Sequence, residues 1–148
     1  MKNFKILIIG LGTIGKNLTL SLVGKGYHVN VWDLKKKKTS VFVNNLKITC
    51  VKNIYKFIQT NNTIIILAIP AGLGVDNFIN DKKKSFKKNS YIVDIGNSHP
   101  SDTLRRSEYL KKYKINYIGC GFSGGSYGAR TNASIMVSCS NKQFIFLK

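Results

Sequence analysis

The sequence predicts an α/β fold, a doubly wound and mostly parallel sheet with helices on both faces. Three observations carry this. Short apolar runs alternate with amphipathic stretches along the chain. A Gly-x-Gly-x-x-Gly turn, Gly10-Leu11-Gly12-Thr13-Ile14-Gly15, joins the first apolar run to the first amphipathic stretch. Three loops marked by glycine or proline follow strand-like runs: Gly10 to Gly15, Ile69 to Gly72 and Gly96 to Pro100. Such loops should line one crevice at the carboxyl edge of the sheet.

Each element has its own warrant. Phe4 to Ile9 is a short apolar run that reads as a buried parallel strand. Lys16 to Val23 reads as a helix, with Ile14, Leu18 and Val23 able to share one face. His28 to Trp32 is the second strand, and Asp33 follows it about 20 residues after the glycines. Thr39 to Leu46 suggests a short helix and Lys47 to Val51 a short strand. Asn53 can cap a helix through Gln59, with Ile54, Phe57 and Ile58 inward. Thr63 to Ile69 is the most continuous apolar run and fits a central strand.

In the second half, Val75 to Phe86 reads as a helix with Val75, Phe78 and Ile79 buried. Ser90 to Ile95 is the next strand, with Gly96-Asn97-Ser98-His99-Pro100 as its exit loop. Ser101 should cap a helix from Asp102 to Tyr113, with Leu104 and Leu110 inward. Ile115 to Ile118 is a further strand, and Ala133 to Val137 a last one. Lys142 to Lys148 begins another apolar segment. A strand, Gly-rich turn, helix and second strand in this order make the fold Rossmann-like.

The glycine turn has a chemical reading. Gly10 permits the tight turn, Gly12 lets backbone approach a pyrophosphate, and Gly15 lets the helix pack against the strand. Free N–H groups at the helix start then face anionic oxygens. Asp33 stands where the ribose hydroxyls of a dinucleotide would sit. Gly121-Phe122-Ser123-Gly124-Gly125 is dense in glycine, and its amides with one hydroxyl suggest a nest for a carboxylate.

Composition narrows the function classes. The chain has 148 residues, the size of one domain, and 43% hydrophobic residues, enough for a core. Its net charge is +18, but the excess is lysine spread along every segment, and only Arg105, Arg106 and Arg130 are arginines. Lys35 to Lys38 and Lys82 to Lys84 read as solvated loops and helix ends, and no nucleic-acid-binding motif is present, so no specific nucleic-acid partner is expected. The apolar runs are too short to span a bilayer. Met1-Lys2-Asn3 leads into the first strand, which leaves no signal peptide to expect. Cys50, Cys120 and Cys139 are scattered without CxxC spacing, which fits structural thiols in the cytoplasm and assigns no metal.

Several motifs in order then resemble one family. They are Gly10 to Leu18, Asp94-Ile95-Gly96-Asn97-Ser98, Asp102-Thr103-Leu104-Arg105-Arg106, Gly119 to Gly125, and Gly128-Ala129-Arg130. Together they resemble the decarboxylating 6-phosphogluconate dehydrogenases over nearly the whole of 1–148. The first half is shared with the wider β-hydroxyacid dehydrogenases. The resemblance implies that Gly10, Leu11, Gly12, Thr13, Ile14 and Gly15 hold the pyrophosphate of NAD or NADP. It implies that Asp33, Leu34 and Lys35 meet the adenosine ribose, and that Ile69, Pro70 and Ala71 line the cofactor's path. Asn97 would contact nicotinamide and substrate, and Ser123, Gly124 and Gly125 would bind the sugar acid. The family takes a hydride from C3 of 6-phosphogluconate and releases carbon dioxide to give ribulose 5-phosphate, in the pentose phosphate pathway.

The same resemblance marks departures. The family's general-base Lys, its His-Asn pair, its acid Glu and its phosphate-binding Arg residues lie on a large helical domain beyond this stretch. That domain also makes the family's homodimer. No catalytic residue is therefore assigned here, and the chain reads as the cofactor domain alone, truncated or decaying. Asn132 lies near a usual Gly, Ser138-Cys139 replace a usual Gly-Gly, and Pro100 replaces a common aromatic. Three readings stand: part of an active dehydrogenase, a binding remnant without chemistry, or the cofactor domain of another β-hydroxyacid dehydrogenase. Asp33 favours NAD over NADP, since a carboxylate accepts both ribose hydroxyls and repels a 2′-phosphate. Leu34 offers no guanidinium fork, while Lys35 to Lys38 pull the other way.

Overall fold

A computed structural model of the protein describes residues 4–141, 143 and 144. The expectations for 1–3 and for most of 142–148 lie outside the described residues. Seven strands form one sheet in the order β3-β2-β1-β4-β5-β6-β7. They are β1 (Lys5–Ile9), β2 (Val29–Trp32), β3 (Ile48–Cys50), β4 (Thr63–Leu67), β5 (Tyr91–Asp94), β6 (Asn116–Ser123) and β7 (Ser134–Ser138). The first six run parallel, and β7 pairs antiparallel with β6. The order reverses at β1, with β2 on one side and β4 on the other, which opens a crevice at the carboxyl edge between them.

The helices are α1 (Thr13–Gly24), α2 (Lys37–Ser40), α3 (Ile54–Ile58), α4 (Leu73–Lys82), α5 (Pro100–Lys111) and α6 (Gly125–Arg130). Alternation along the strands divides the core between two layers. Leu7 and Ile9 of β1, Ile65 and Leu67 of β4 and Ile92 of β5 pack with Ile54, Ile58, Val75, Phe78, Ile79 and Leu110. Ile8, between them, points the other way and packs with Leu11, Val29, Val31 and Phe42. A third cluster, including Ile118, Cys120, Phe122 and Ala129, continues that second layer under α6. No helix among the described residues is long and apolar enough to cross a membrane.

The boundaries differ from the sequence expectation for local reasons. Helix α1 begins at Thr13 because Gly12 already serves as its N-cap, with extended backbone. Helix α2 is a single turn, so the expected helix over Thr39 to Leu46 does not form, although Phe42 is buried. Helix α4 stops at Lys82. His99, not Ser101, caps α5; its ring accepts the Ser101 amide, and Pro100 fills the first turn, where no N–H is needed. Leu104 is exposed rather than inward, because Arg106 and Leu110 carry the buried face of α5. Strand β6 runs on to Ser123, so Gly121, Phe122 and Ser123 lie in sheet, Gly124 makes the turn as the N-cap and Gly125 opens α6.

Candidate functional site

The glycine turn is held from both ends. Gly10 donates its N–H to the Trp32 carbonyl at 2.9 Å. Leu11 donates its N–H to Asp33 Oδ2 at 2.7 Å, and Lys35 donates its N–H to Asp33 Oδ1 at 2.8 Å. Asp33 therefore fastens the turn to the end of β2 and also shapes the loop that follows. Each carboxylate oxygen keeps a second lone pair for another donor. Lys38 stands 3.6 Å from Asp33 Oδ2.

The three glycines do different work. Gly10 has a φ of +91°, and a Cβ there would lie 2.6 Å from the Ala68 carbonyl oxygen. A Cβ on Gly15 would lie 1.9 Å from the Gly10 carbonyl oxygen, so this glycine lets α1 sit on the turn. A Cβ on Gly12 would meet nothing within 4 Å, leaving backbone open to the crevice. That is the open cradle that a pyrophosphate requires, and the residues present fit a dinucleotide.

Two cavities open on this edge. The first, about 630 Å³, is lined by Gly10, Gly12, Trp32, Asp33, Leu34 and Lys35, and reaches Phe78 and Lys82 of α4. The second, about 580 Å³, is lined by Gly12, Thr13, Ile14, Gly96, Asn97 and Ser123 to Gly125. Gly12, Ala68, Ile69 and Pro70 line both, so the two form one crevice across the switch point. Among the residues singled out in the sequence, Leu11, Gly15 and Ala71 line neither cavity; Leu11 and Gly15 are buried and Ala71 is exposed.

Asn97 sits at the far end with a φ of +57°. Its amide Nδ2 donates to the Phe122 carbonyl at 3.1 Å, and its Oδ1 accepts the Phe122 N–H at 2.7 Å. One N–H and one lone pair remain on the amide. Ser123, Gly124 and Gly125 follow directly, with Gly124 left-handed at a φ of +116°. The expected nest is thus reduced to this turn at the end of β6.

Behind the Asn97 loop lies a charged network. Arg106 is 1% exposed. It donates to Asp76 Oδ1 at 2.9 Å, to Asp76 Oδ2 at 3.2 Å, to Ser98 Oγ at 2.8 Å and to the Gly72 carbonyl at 3.1 Å. Asp94 Oδ2 accepts from Ser98 Oγ and from Tyr117 Oη, each at 2.6 Å. The hydrogen bond from Arg106 holds the Asp76 carboxyl down to about 2, with burial opposing and Arg105 assisting. Burial works against the charge on Arg106, yet its bond to Asp76 and its closeness to Tyr117 hold its pKa above the ordinary value. Burial, and then Asp94, push the Tyr117 hydroxyl well above the usual phenol range.

Some crevice residues escaped the sequence reading. Lys82 is 6% exposed, not solvated, with its ammonium 4.7 Å from the Tyr55 ring centre, 5.2 Å from Phe78 and 5.8 Å from Trp32. It pairs with Asp81, which also accepts from Tyr55 Oη. Gly74, Asn77, Phe78 and Asp81 line the first cavity from α4. Their i, i+3, i+4 and i+7 spacing marks one helix face, and that face follows the β4 exit loop directly. The two histidines are engaged elsewhere: His28 with Thr49, and His99 with Ser101 as the cap of α5.

Comparison with known proteins agrees with this geometry. Residues 5–148 match the model of the NAD binding domain of 6-phosphogluconate dehydrogenase. The decarboxylating 6-phosphogluconate dehydrogenase of Buchnera aphidicola is 34% identical over 145 residues, 92% of this chain and 30% of that protein. The NAD(+)-dependent enzyme of Bacillus subtilis is 37% identical over 87% of this chain and 29% of that protein. The NADP(+)-dependent enzyme of the same organism is 34% identical over 92% of this chain. The chain thus spans about 30% of the length of these relatives. Among solved structures, Plasmodium falciparum 6-phosphogluconate dehydrogenase superposes with a TM-score of 0.86 at 30% identity, covering 95% of this chain and 32% of that one. Mycobacterium tuberculosis 3-hydroxyisobutyrate dehydrogenase reaches the same 0.86 at 18% identity, covering 98% of this chain and 50% of that one, which shows the fold alone. The chain belongs to the family of NAD-binding domains of 6-phosphogluconate dehydrogenase.

Proposed function

We propose that this chain binds NAD or NADP along the crevice and serves as the cofactor half of a 6-phosphogluconate dehydrogenase. The observation that carries the proposal is the continuity of the two cavities through Gly12 and Ile69-Pro70. An elongated ligand can lie across the switch point with one end at Asp33 and the other at Asn97. Amides of the first turn of α1 would hold the pyrophosphate. Asp33, Leu34 and Lys35 would seat the adenosine ribose, and Ile69, Pro70 and Ala71 would guide the chain of the cofactor. When bound, the dinucleotide supplies a nicotinamide ring that accepts a hydride.

The roles of this chain's residues then follow from position. Asn97, with one N–H and one lone pair free, would orient the nicotinamide amide and the sugar acid beside it. Ser123, Gly124 and Gly125 would accept the acid's oxygens through a hydroxyl and backbone amides. The relatives' names include decarboxylation. For this chain that activity would draw its general base and acid from a helical domain outside residues 1–148. Titration of the purified chain with reduced cofactor tests the binding. Enhanced nicotinamide emission that saturates is expected, with no enzyme-dependent reduction of NAD or NADP by 6-phosphogluconate. Failure of ADP, NAD and NADP alike to bind a folded sample overturns the proposal, and sustained turnover overturns the division of labour.

A further inference from the structure

The arginine pair of α5 was part of the family resemblance, but no function so far uses it. Arg105 is half exposed and pairs with Asp76 at 3.0 Å and Asp102 at 2.9 Å. Arg106 differs in kind: its guanidinium is buried and nearly every donor is committed. Its partners come from two loops that lie far apart in sequence. Gly72 and Asp76 belong to the exit of β4 and the start of α4, while Ser98 belongs to the exit of β5. Asp94, at the end of β5, lies 3.6 Å from the same guanidinium and accepts from Ser98. It also accepts the Gly96 N–H at 2.9 Å.

These two loops form the wall of the crevice on the Asn97 side. They touch directly, since a Cβ on Gly96 would lie 2.5 Å from the Ile69 carbonyl oxygen and 3.5 Å from the Ala71 nitrogen. Asn97 stands between Gly96 and Ser98, with a left-handed backbone that its neighbours must hold. We propose that Arg106 is a positioning residue that sets the spacing of the β4 and β5 exit loops, and thereby the seat of the nicotinamide end of the dinucleotide. A planar fork with five fixed donors can hold two loops at one separation, which an ammonium on a flexible stem cannot. The inference rests on the dinucleotide reading above, and it divides the crevice energetically. The adenosine end depends on the glycine turn and Asp33, which Arg106 does not contact.

Two variants test it, each titrated with NADH and with ADP. Arg106→Lys should weaken NADH about tenfold, a step of about 1.4 kcal/mol, and should lower the emission of the bound reduced nicotinamide. Ser98→Ala removes the Arg106 link to the β5 loop together with the Ser98 bond to Asp94, and leaves the Arg106 bonds to Asp76 and Gly72 in place. It should weaken NADH roughly three- to tenfold, the scale of a hydrogen bond. ADP affinity should stay within about twofold in both, because sites without shared partners are nearly independent. Equal weakening of ADP and NADH, or a folded Ser98→Ala that binds NADH as the parent does, overturns the inference. Should Arg106→Lys not fold, Ser98→Ala decides alone. Absence of ADP and NADH binding in the parent chain would instead sink the dinucleotide reading itself.

Discussion

The carboxylate of Asp33 receives the N–H of Leu11 at 2.7 Å, so the end of β2 and the glycine turn after β1 form one hydrogen-bonded unit. Asp33 is thus a structural clamp, whatever it contacts in a ligand. Removing it strands a buried amide, because Leu11 is 5% exposed. Asp33→Ala should lower the unfolding free energy by about 1–3 kcal/mol, the cost of an orphaned donor. Asp33→Asn keeps an acceptor oxygen and should cost less than half of that. Urea denaturation of the three proteins checks this; equal stability of Asp33→Ala and parent would show that the Leu11 amide finds another partner.

Gly12 and Gly15 should separate binding from folding. Gly12→Val adds a side chain into open space, so the fold should survive with a melting temperature close to that of the parent. The same side chain would fill the proposed pyrophosphate cradle, and dinucleotide binding should fall below detection. Gly15→Val drives a Cβ onto the Gly10 carbonyl and should prevent folding. Circular dichroism with parallel titration distinguishes the two. A Gly12→Val protein with unchanged affinity would mean that the ligand crosses elsewhere.

How far the sequence reached is visible in particular residues. The apolar runs and glycine turns placed the strands, because a sheet covered on both faces leaves little choice of residue. The same physics located Gly12, Asp33, Pro70 and Asn97 on one edge. What stayed hidden depends on partners distant in the chain. Leu104 looked inward because an arginine is normally exposed, yet Arg106 is buried, satisfied by Asp76, Ser98 and Gly72. Lys82 looked solvated within a lysine run, yet Tyr55, Phe78 and Trp32 surround its ammonium from three different elements. The sequence predicts a strand that ends at Ile118 and a Ser123 that sits in a glycine nest, yet β7 returns antiparallel and draws Gly119 to Ser123 into the sheet.

Acid should weaken the fold through Asp76. Its folded carboxyl is held down to about 2, below the usual 3.8, chiefly by Arg106. The folded state therefore binds fewer protons than the unfolded chain between these values. The stabilisation is complete above about pH 4 and is lost as pH falls toward 2. Its size should be on the order of 1 kcal/mol once screening at the solvent-facing edge of Asp76 is allowed for. Chemical denaturation of the parent and of Asp76→Asn at pH 6 and pH 2.5 isolates the contribution. The parent should lose more than the variant over that range, and parallel losses would show that Asp76 is not the group responsible.

The choice of dinucleotide turns on Asp33 against the lysines around it. Both carboxylate oxygens already accept one backbone N–H, and each has one lone pair left. The remaining pairs suit the two ribose hydroxyls of NAD, while the charge repels a 2′-phosphate. Leu34 is 85% exposed and brings no guanidinium fork. On the other side, Lys35, Lys38 and Lys82 line the same cavity, and Lys38 stands 3.6 Å from Asp33. Lys82, however, is already paired with Asp81 and caged by aromatic rings, so it has little left to offer a phosphate. Lys35 and Lys38 are exposed and would act as screened point charges. Asp33 is held at the strand end, so NAD should bind more tightly, by about 1–2 kcal/mol, the scale of a charged hydrogen bond. Titrations with NAD and NADP at about 50 and 300 mM salt, where screening differs strongly, decide it. The NAD constant should change little and the NADP constant should weaken with salt. Lys35→Ala with Lys38→Ala should widen the preference for NAD. Tighter NADP binding at low salt, lost in that double variant, would mean that the lysines outweigh Asp33.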